Sequence, residues 1–492
     1  MTSLQQLSTD ALARDPARPA IEFGGDWYGW GDLARVAGEV HALLVASGIG
    51  PGAPVAFIPR NRPAALAALL ALIADGRTIR MVYAFQSGAG MARDVARLQP
   101  AALIVEAQDF APELDALGIP AIILDGMGAR AAPESGPKGR STAPSGPPQI
   151  EILTSGTTGP PKQFAIPYAL IERHFVDSAL ARQQGNNPET LPPFLLYFPL
   201  GNITGLYSTL PMLLRGQRIV LLERFALADW HTYVKQYRPT HSGLPPSFVQ
   251  QVIDADVPVD DLSSLRVLGV GAAPLDPVVQ AAFEDRYGIP ILISYGATEF
   301  AGPVAAMTLD LHAEWGRRKL GTVGRAMPGA QLRIVDPYSG IVLAAGREGL
   351  LEVVSPRLGA DWIRTSDIAR IDTDGFLYIH GRADGAIMRG GFKVLPESVE
   401  RALMLHPDVA EAAVTGIADA RLGQVPVAAL RLKPGVATPA IDSLDSHLRR
   451  HLLAPHIPTK YLFFEDIPRT PSLKIDRPAV RRLFESDKIV RA

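Results

Sequence analysis

A segment rich in glycine and hydroxyl residues ends in a lysine at residues 154–162, which read TSGTTGPPK. Glycines let backbone N–H groups converge on an anion, and the lysine adds positive charge. The hydroxyls that could donate to phosphate oxygens belong to Thr154, Ser155, Thr157 and Thr158. The Walker loop, G-x-x-x-x-G-K-[ST], does not fit, because position 161 is Pro and Lys162 is followed by Gln163. The segment therefore indicates either another kind of phosphate site or a surface turn.

The elements that must position this segment are predicted from the apolar pattern of the chain. Short strand-like runs alternate with helix-like runs, which favours α/β layers with mainly parallel strands. The strand-like runs are 55–59, 102–106, 121–125, 149–153, 218–223, 266–270 and 290–296, and the helix-like runs are 62–74 and 275–287. Residues 126–148, rich in small residues, Gly and Pro, interrupt the alternation and are predicted to form a surface linker.

The pattern changes near residue 384. The predicted elements that follow are a helix at 396–406, strands at 409–416 and 426–432, a helix at 440–452, a strand at 460–464, the loop PRTPSLKIDR at 468–477 and a short helix. An α+β unit of this length has the usual size of one domain. We therefore expect a large N-terminal multi-layer α/β domain, residues 1–381, and a small C-terminal α+β domain, residues 385–492.

Composition excludes several classes of function. The chain has 492 residues and a net charge of −2, so no basic excess points to nucleic acid or an anionic membrane. It has no cysteine, which excludes disulfides, thiolate metal sites and a cysteine nucleophile. The N-terminus lacks a signal pattern, and the apolar run at 64–74 is about half the roughly 20 residues a spanning helix needs. We expect a cytoplasmic protein without a membrane span.

The phosphate-loop segment resembles that of the acyl-adenylating superfamily, which contains acyl-CoA synthetases, peptide-synthetase adenylation domains and beetle luciferases. The superfamily's loop is approximately [ST]-S-G-[ST]-T-G-x-P-K-G, and Gln163 replaces its last glycine in this chain. The resemblance implies that the loop binds ATP phosphates through Thr154, Ser155, Gly156, Thr157, Thr158, Gly159 and Lys162.

Further motifs of that superfamily follow in the same order. SSLRVLGVGAAPL at 263–275 resembles the strand and loop beside adenine, with a backbone wall of Gly271, Ala272, Ala273 and Pro274. A dinucleotide fingerprint is a weak alternative because the third glycine position is Pro, and a plain strand-to-helix turn is another. SYGATE at 294–299 resembles Y-G-x-T-E. It implies that Tyr295 stacks on adenine, Thr298 bonds the α-phosphate and Glu299 binds Mg²⁺.

The segment RTSDIARIDTDGFLYIHGR, residues 364–382, resembles the part of the family that contains T-G-D and ends in G-R. The resemblance assigns the ribose hydroxyls to Asp367 and a ribose or phosphate contact to Arg382. The same letters also predict a β-hairpin, since Asp-Gly lies between apolar runs. Asp384 falls on the family's hinge residue, about which the C-terminal domain rotates, and Gly385 replaces the Asp that usually follows.

The loop PRTPSLKIDR resembles the C-terminal loop that carries the family's catalytic lysine, which implies this role for Lys474. A lone lysine is usually a solvated surface residue, and only the context favours the catalytic interpretation. With Thr298 and Glu299, Lys474 completes the predicted catalytic set. The implied chemistry is attack of a carboxylate on the α-phosphorus of ATP, which needs positioning and charge neutralisation rather than a general base.

The sequence predicts the substrate acid and the acceptor of the acyl group less precisely than it predicts the nucleotide site. The resemblance implies a substrate pocket lined by Asn202, Ile203, Leu206, Val270, Gly271 and Gly296, which favours an aromatic or medium-sized apolar acid. Coenzyme A is the expected acceptor because no carrier domain accompanies the chain. The alternatives are a carrier-protein thiol, an amine (as in an amide synthetase), and a non-catalytic nucleotide-binding protein. The expected cofactors are ATP, Mg²⁺ and coenzyme A, and a homodimer is one option for assembly.

Overall fold

The computed structural model describes residues 3–133, 146–154, 162–176, 188, 190–271, 273–390, 392–470 and 474–485. The chain divides into two compact units, the first spanning Met1–Pro239 and the second Thr240–Ala492. In both units, helices alternate with strands over long stretches of the chain. The predicted α/β fold class is confirmed.

The first unit contains two sheets. Its strands are β1 Pro19–Phe23, β2 Asp26–Gly29, β3 Val55–Ile58, β4 Ile79–Met81, β5 Ala102–Glu106, β6 Ala121–Asp125, β7 Gly128–Ala131, β8 Gln149–Thr154, β9 Lys162–Pro167, β10 Phe194–Leu196 and β11 Ile219–Leu221. One sheet has the order β7-β6-β5-β3-β4-β8-β9 and the other has the order β10-β11-β1-β2. In the larger sheet, only β7 and β9 run antiparallel to their neighbours.

The helices of the first unit cover these sheets. The α-helices are Leu4–Leu12, Trp30–Ala46, Pro63–Ala74, Gly88–Leu98, Pro112–Asp115, Tyr168–Ile171, Ile203–Leu214 and Leu227–Tyr237. The apolar run at 64–74 lies in the helix Pro63–Ala74. Every residue of this helix from Pro63 to Ile73 is buried. Proline suits the first turn of this helix, where its missing N–H costs no hydrogen bond. Strands β3 and β5 are buried along their whole length, as expected for parallel strands covered on both faces.

The second unit contains three sheets. Its strands are β12 His241–Leu244, β13 Val267–Gly271, β14 Ile291–Ala297, β15 Gly302–Ala306, β16 Arg325–Ala326, β17 Gln331–Val335, β18 Glu348–Val354, β19 Ile363–Ile371, β20 Leu377–Arg382, β21 Ile387–Arg389, β22 Phe392–Val394, β23 Val409–Asp419, β24 Gly423–Leu432 and β25 Tyr461–Phe463. Strands β12 to β14 are parallel. Strands β17 to β20 form an antiparallel sheet in sequence order.

The α-helices of the second unit are Pro246–Asp254, Val259–Leu262, Pro277–Tyr287, Leu309–Trp315, Pro396–Met404, Ile441–Leu448 and Arg477–Glu485. After residue 385, the elements alternate as an α+β arrangement. Strands β23 and β24 pack with the helices Pro396–Met404 and Ile441–Leu448 around one apolar core, which includes Val399, Leu403, Val414, Leu430 and Leu444. The domain boundary at 381–385 stays a prediction.

Three sequence-based predictions need correction. Residues Gly128–Ala131 of the predicted linker form strand β7, which pairs with β6 through a two-residue turn at 126–127. The glycine at the first position of this turn is a hairpin signal. The predicted helix 440–452 ends at Leu448, because the exposed residues 449–451 have no apolar face to bury. The expectation of mainly parallel strands does not hold for β17–β20, which are antiparallel to their neighbours in the sheet.

Two glycines with the same backbone conformation predict different costs of substitution. Gly324 has φ +85°, and a Cβ there would lie 2.0 Å from the carbonyl of Ala306. Gly346 has φ +83°, and a Cβ there would meet nothing within 4 Å. We expect Gly346→Ala to lose about 1–2 kcal/mol of unfolding free energy. Gly324→Ala should lose at least about 2 kcal/mol more, because backbone must move.

Urea unfolding of both variants, followed by circular dichroism, measures the difference. Equal midpoints for Gly324→Ala and Gly346→Ala would contradict the close backbone approach at Gly324.

Candidate active site

The two ends of the phosphate-loop segment lie side by side in the first unit. Strands β8 and β9 are antiparallel, and Thr154 is the register partner of Lys162. Ser155, Gly156, Thr157, Thr158 and Gly159 lie outside the described residues. The segment leaves β8 at its carboxyl end, the edge of a parallel sheet at which ligands usually bind.

Gln163, which stands where the resembling family has glycine, is fixed on the sheet rather than in the loop. Its side-chain amide donates to the carboxylate of Glu151 on the neighbouring strand. The same carboxylate accepts a hydrogen bond of 2.9 Å from Nε of Arg80. The glutamine therefore strengthens the pairing of β8 with β9 at the base of the loop.

The predicted adenine wall lies where β13 ends in the second unit. Gly271 is the last residue of β13, Ala273 and Pro274 are exposed, and Ala272 is outside the described residues. The helix Pro277–Tyr287 follows, with the side chain of Asp276 capping it at 2.7 Å from the Val278 N–H. This geometry is that of a strand-to-helix turn, and a contact with adenine stays a prediction.

Tyr295 and Asp367 meet through a direct hydrogen bond in the second unit. Tyr295 lies on β14, and its phenolic O–H donates to Oδ2 of Asp367 on β19. Burial, followed by the negative charge of Asp367, raises the pKa of Tyr295, so the phenol stays protonated and able to donate. Among the described residues no other hydrogen bond reaches the carboxylate of Asp367, and its contact with a ribose hydroxyl stays a prediction.

Thr298 and Glu299 follow directly after this tyrosine. They lie in the short 3₁₀ segment Thr298–Phe300, and Glu299 is exposed. The turn needs a glycine just before it, because a Cβ on Gly296 would lie 2.6 Å from the carbonyl oxygen of Gly302 on β15. The close approach of β14 and β15 thus presents Glu299 at the end of a parallel strand.

Arg382 is the register partner of Asp367 and also holds the predicted hinge residue. Its guanidinium donates to both carboxylate oxygens of Asp384, at 2.9 and 2.7 Å, and to Oγ of Ser366 at 2.7 Å. The backbone N–H of Ala383 donates to the carbonyl of Ser366 at 2.7 Å. Two adjacent strands therefore fix the start of the hinge segment.

Lys474 lies near the charges of this cluster. The residue is exposed overall, yet the surrounding protein removes hydration from its ammonium and lowers its pKa. The positive charge of Arg382 acts in the same direction, whereas Glu299 and Asp367 act to raise the pKa. The charges of Arg382, Asp367 and Glu299 thus act on Lys474, although these residues lie far apart in the sequence.

The predicted substrate-pocket residues have structural roles in their own units. The Asn202 side chain accepts a hydrogen bond of 2.7 Å from the Gly205 N–H and caps the helix Ile203–Leu214. Ile203 and Leu206 belong to the apolar core of the first unit, and Val270 is buried in the second. Their contact with a substrate stays a prediction.

The residues of the second unit fit a magnesium–nucleotide complex. Within the part of the chain that is described, no group of three or more His, Asp or Glu could hold a metal by itself. Mg²⁺ usually takes one or two carboxylates and completes its shell with phosphate oxygens and water. Glu299 supplies one exposed carboxylate, and Arg382 and Lys474 supply the cations that phosphates require.

Sequence reasoning missed three kinds of contact. Ser366 stands where the resembling family has the glycine of T-G-D, and its hydroxyl oxygen accepts a hydrogen bond from Arg382. The spacing of Arg382 and Asp384 gave a signal, since oppositely charged residues two apart before a turn can pair. The partners of Arg477, which lie on the helix Pro396–Met404, left no signal because they are remote in sequence.

The chain belongs to the family of AMP-binding enzymes. Residues 8–359 match the family described as AMP-binding enzyme, and residues 398–474 match the AMP-binding enzyme C-terminal domain. The matched regions are a large N-terminal one and a small C-terminal one, in agreement with the predicted fold class. The family predicted from the motifs is confirmed.

Similar proteins of known activity include 4-coumarate–CoA ligase 3 of Oryza sativa subsp. japonica, 28% identical over 97% of this chain and 92% of its own. A 2-succinylbenzoate–CoA ligase of Bacillus cereus is 30% identical over 68% of this chain and 70% of its own. Among solved structures, the amide bond synthetase McbA of Marinactinospora thermotolerans is 29% identical, with a TM-score of 0.76 over 98% of this chain and 99% of its own.

None of the helices in the described part of the chain is long and apolar enough to cross a membrane.

Ionisation of the Asp367 carboxyl is predicted to lower the stability of the fold rather than to raise it. Burial raises the pKa of Asp367, and the hydrogen bond from Tyr295 and the charge of Arg382 oppose this only in part. The fold therefore favours the protonated carboxyl, and stability falls as pH rises from the unfolded-state pKa to the folded-state pKa. We expect Asp367→Asn to unfold at the same or a higher temperature than the wild type at pH 7, although ATP binding weakens.

Asp372 provides the matched control. Burial acts to raise its pKa, but hydrogen bonds from Lys319 and the backbone prevail and lower the pKa. Asp372→Asn should therefore lower the unfolding temperature at pH 7, and its effect should vanish in acid. Thermal unfolding of both variants from about pH 2 to about pH 8 makes the comparison, because the contribution of Asp372 is lost only as pH falls below its unfolded-state pKa toward the lower folded-state pKa. A clear loss of stability in Asp367→Asn at pH 7 would contradict a raised pKa for the Asp367 carboxyl.

Proposed function

We propose that the protein is an AMP-forming acid–thiol ligase. A carboxylate oxygen attacks the α-phosphorus of ATP, giving an acyl-AMP and pyrophosphate. The coenzyme A thiol then attacks the acyl carbon, and AMP leaves. The observation that carries this proposal is the cluster of Lys474, Arg382, Asp367 and Glu299 in a chain of the AMP-binding family.

Each charge in the cluster has a task in the first step. Asp367 would accept hydrogen bonds from ribose hydroxyls, and Arg382 would contact ribose or phosphate. Glu299 would hold Mg²⁺, which when bound supplies positive charge to the phosphate oxygens. Lys474 would bridge the substrate carboxylate and the α-phosphate, where Thr298 also donates. A cation in a poorly hydrated position stabilises charge that shifts between two anions more strongly than it would in water.

The lowered pKa of Lys474 is compatible with this role. A lysine ammonium ordinarily loses its proton near pH 10.4. Even when the pKa is lowered, the group can stay charged at neutral pH. As the pH is raised, we therefore expect the adenylation rate to fall at a lower pH than the ordinary pKa of a lysine ammonium would predict.

The pyrophosphate portion is assigned to the segment 154–162, with Lys162 as its cation. The adenine is assigned to Tyr295 and the wall 271–274, and the acid to the predicted substrate-pocket residues. An aromatic or medium-sized apolar acid is proposed, in keeping with the activities of the 4-coumarate and 2-succinylbenzoate ligases that resemble this chain.

The second step requires Lys474 to leave the reaction centre. We propose that residues 385–492 form a mobile C-terminal domain that rotates about Asp384. The bidentate pair between Asp384 and Arg382 supports the assignment, because it marks where the backbone passes from β20 into the C-terminal elements. A cytoplasmic location, in keeping with a chain that has no cysteine, and a second copy as partner complete the proposal.

An amide synthetase is the second candidate. The likeness to McbA, over nearly the whole chain at 29% identity, favours an amine as the acceptor of the acyl group. Both candidates share the adenylation step, and they differ only in the nucleophile. A carrier-protein thiol is the third option.

A panel of carboxylic acids with ATP and Mg²⁺ tests the function. The panel is run with coenzyme A, with a set of primary amines and with neither, and AMP and product mass are read in each arm. We expect acid-dependent AMP formation and an acyl-CoA product. AMP with an amide product would select the second candidate. No AMP with any acid, although ATP binds, would contradict adenylation.

A further inference from the structure

The segment that carries Lys474 is closed into a tight turn by its own backbone. The Thr470 N–H donates to the carbonyl of Lys474 at 2.7 Å, and the Lys474 N–H donates to the Thr470 hydroxyl at 3.2 Å. The Asp476 N–H donates to the carbonyl of Pro468 at 2.9 Å. These bonds shape the turn, but they do not connect it to the elements that carry the rest of the site.

Arg477 makes that connection three residues after the lysine. Its Nη2 donates to both carboxylate oxygens of Glu400 at 2.8 Å and lies 3.1 Å from Oε1 of Glu397. Both glutamates lie on the helix Pro396–Met404. Glu400 is 7% exposed and also accepts a hydrogen bond of 2.7 Å from the Val414 N–H on β23. The arginine thus ties the Lys474 segment to the core of the C-terminal elements.

Glu397 extends this connection to the strand that carries Arg382. Its Oε2 is buried without a hydrogen-bond partner among the described residues. A Cβ on Gly381 would lie 2.4 Å from this oxygen, and Gly381 has φ +152°. The side chain of Glu397 therefore fills the space that a glycine leaves open, directly before the predicted nucleotide contact Arg382.

We propose that Arg477 is a positioning residue for Lys474, which it orients toward the Asp367–Arg382 strand pair through Glu400 and Glu397. The inference rests on the proposed function, because it concerns the adenylation step. Arg477 itself touches no reacting atom. It fixes the start of the helix Arg477–Glu485, three residues after Lys474, and so sets the direction from which the lysine approaches.

A gain in stability does not explain why Arg477, Glu397 and Glu400 lie together. Two carboxylates share one guanidinium, so the cluster has excess negative charge when both are ionised. Burial raises the pKa of Glu400 to about 7, which reflects the cost of its ionised form. Buried ion pairs can often be replaced by apolar residues without loss of stability, so orientation of the lysine is the better account of the arrangement.

Because of the proposed rotation about Asp384, the cluster of Arg477, Glu397 and Glu400 should affect adenylation far more than thioester formation. Arg477, Glu397 and Glu400 all follow Asp384 and would move together with Lys474, whereas Gly381 precedes it. The contact between Glu397 and Gly381 would therefore exist only while Lys474 serves adenylation. Loosening the cluster should slow acyl-AMP formation and leave thioester formation from supplied acyl-AMP much less affected.

Arg477→Lys is the first test, because it keeps the charge but removes the planar guanidinium, whose Nη2 contacts both glutamates while its Nε donates to the carbonyl of Val414. We expect acid-dependent ATP–pyrophosphate exchange to slow by about 10²-fold, as for a catalytic group displaced by about 1 Å. Thioester formation from supplied acyl-AMP and coenzyme A should stay within about threefold of wild type. Arg481→Lys, an exposed arginine on the same helix, is the matched control and should change neither step.

Glu397→Gln keeps the shape of the side chain. It tests the positioning role of Arg477 even where Arg477→Lys does not fold. We expect it to slow exchange several-fold without slowing thioester formation. An equal loss in both steps, or no loss in either, would overturn the positioning role. A wild-type protein that forms no AMP would instead refute the proposed function, and the two failures are therefore distinguishable.

Discussion

The arrangement depends on the charges that act on one another at Lys474. The positive charge of Arg382 and the negative charges of Glu299 and Asp367 act on its ammonium, and desolvation lowers its pKa. Without a ligand, these charges oppose one another. A nucleotide and a carboxylate would bring negative charge that interacts favourably with both cations.

The remaining contacts of the second unit keep these charges in place. Tyr295 holds Asp367, Ser366 and Asp384 hold Arg382, and the close strands β14 and β15 present Glu299. Apart from the Arg382–Asp384 pair, each contact joins residues from two different strands. Such preorganisation costs stability at Asp367, where an ionised carboxylate is buried, and this cost is expected at a functional site.

Motifs and periodicity predicted the fold class, the family and several strands, among them β3, β5 and β6, because they are local properties of the chain. The helix Pro63–Ala74 and the hairpin β19–β20 are further examples. Periodicity could not predict the antiparallel pairing of β17 with β18 and of β18 with β19, which depends on contacts between segments. The bond from Tyr295 to Asp367 and the partners of Arg477 also escaped it, since they join residues remote in sequence.

The central claim, that Lys474 serves adenylation, is tested most directly by separating the two half-reactions in Lys474→Ala. Lys460→Ala, an exposed lysine of the same domain, is the control. We predict that acid-dependent ATP–pyrophosphate exchange falls by about 10²-fold or more. Thioester formation from supplied acyl-AMP should fall by less than about tenfold. Equal losses in both half-reactions, or exchange at the wild-type rate, would contradict the account.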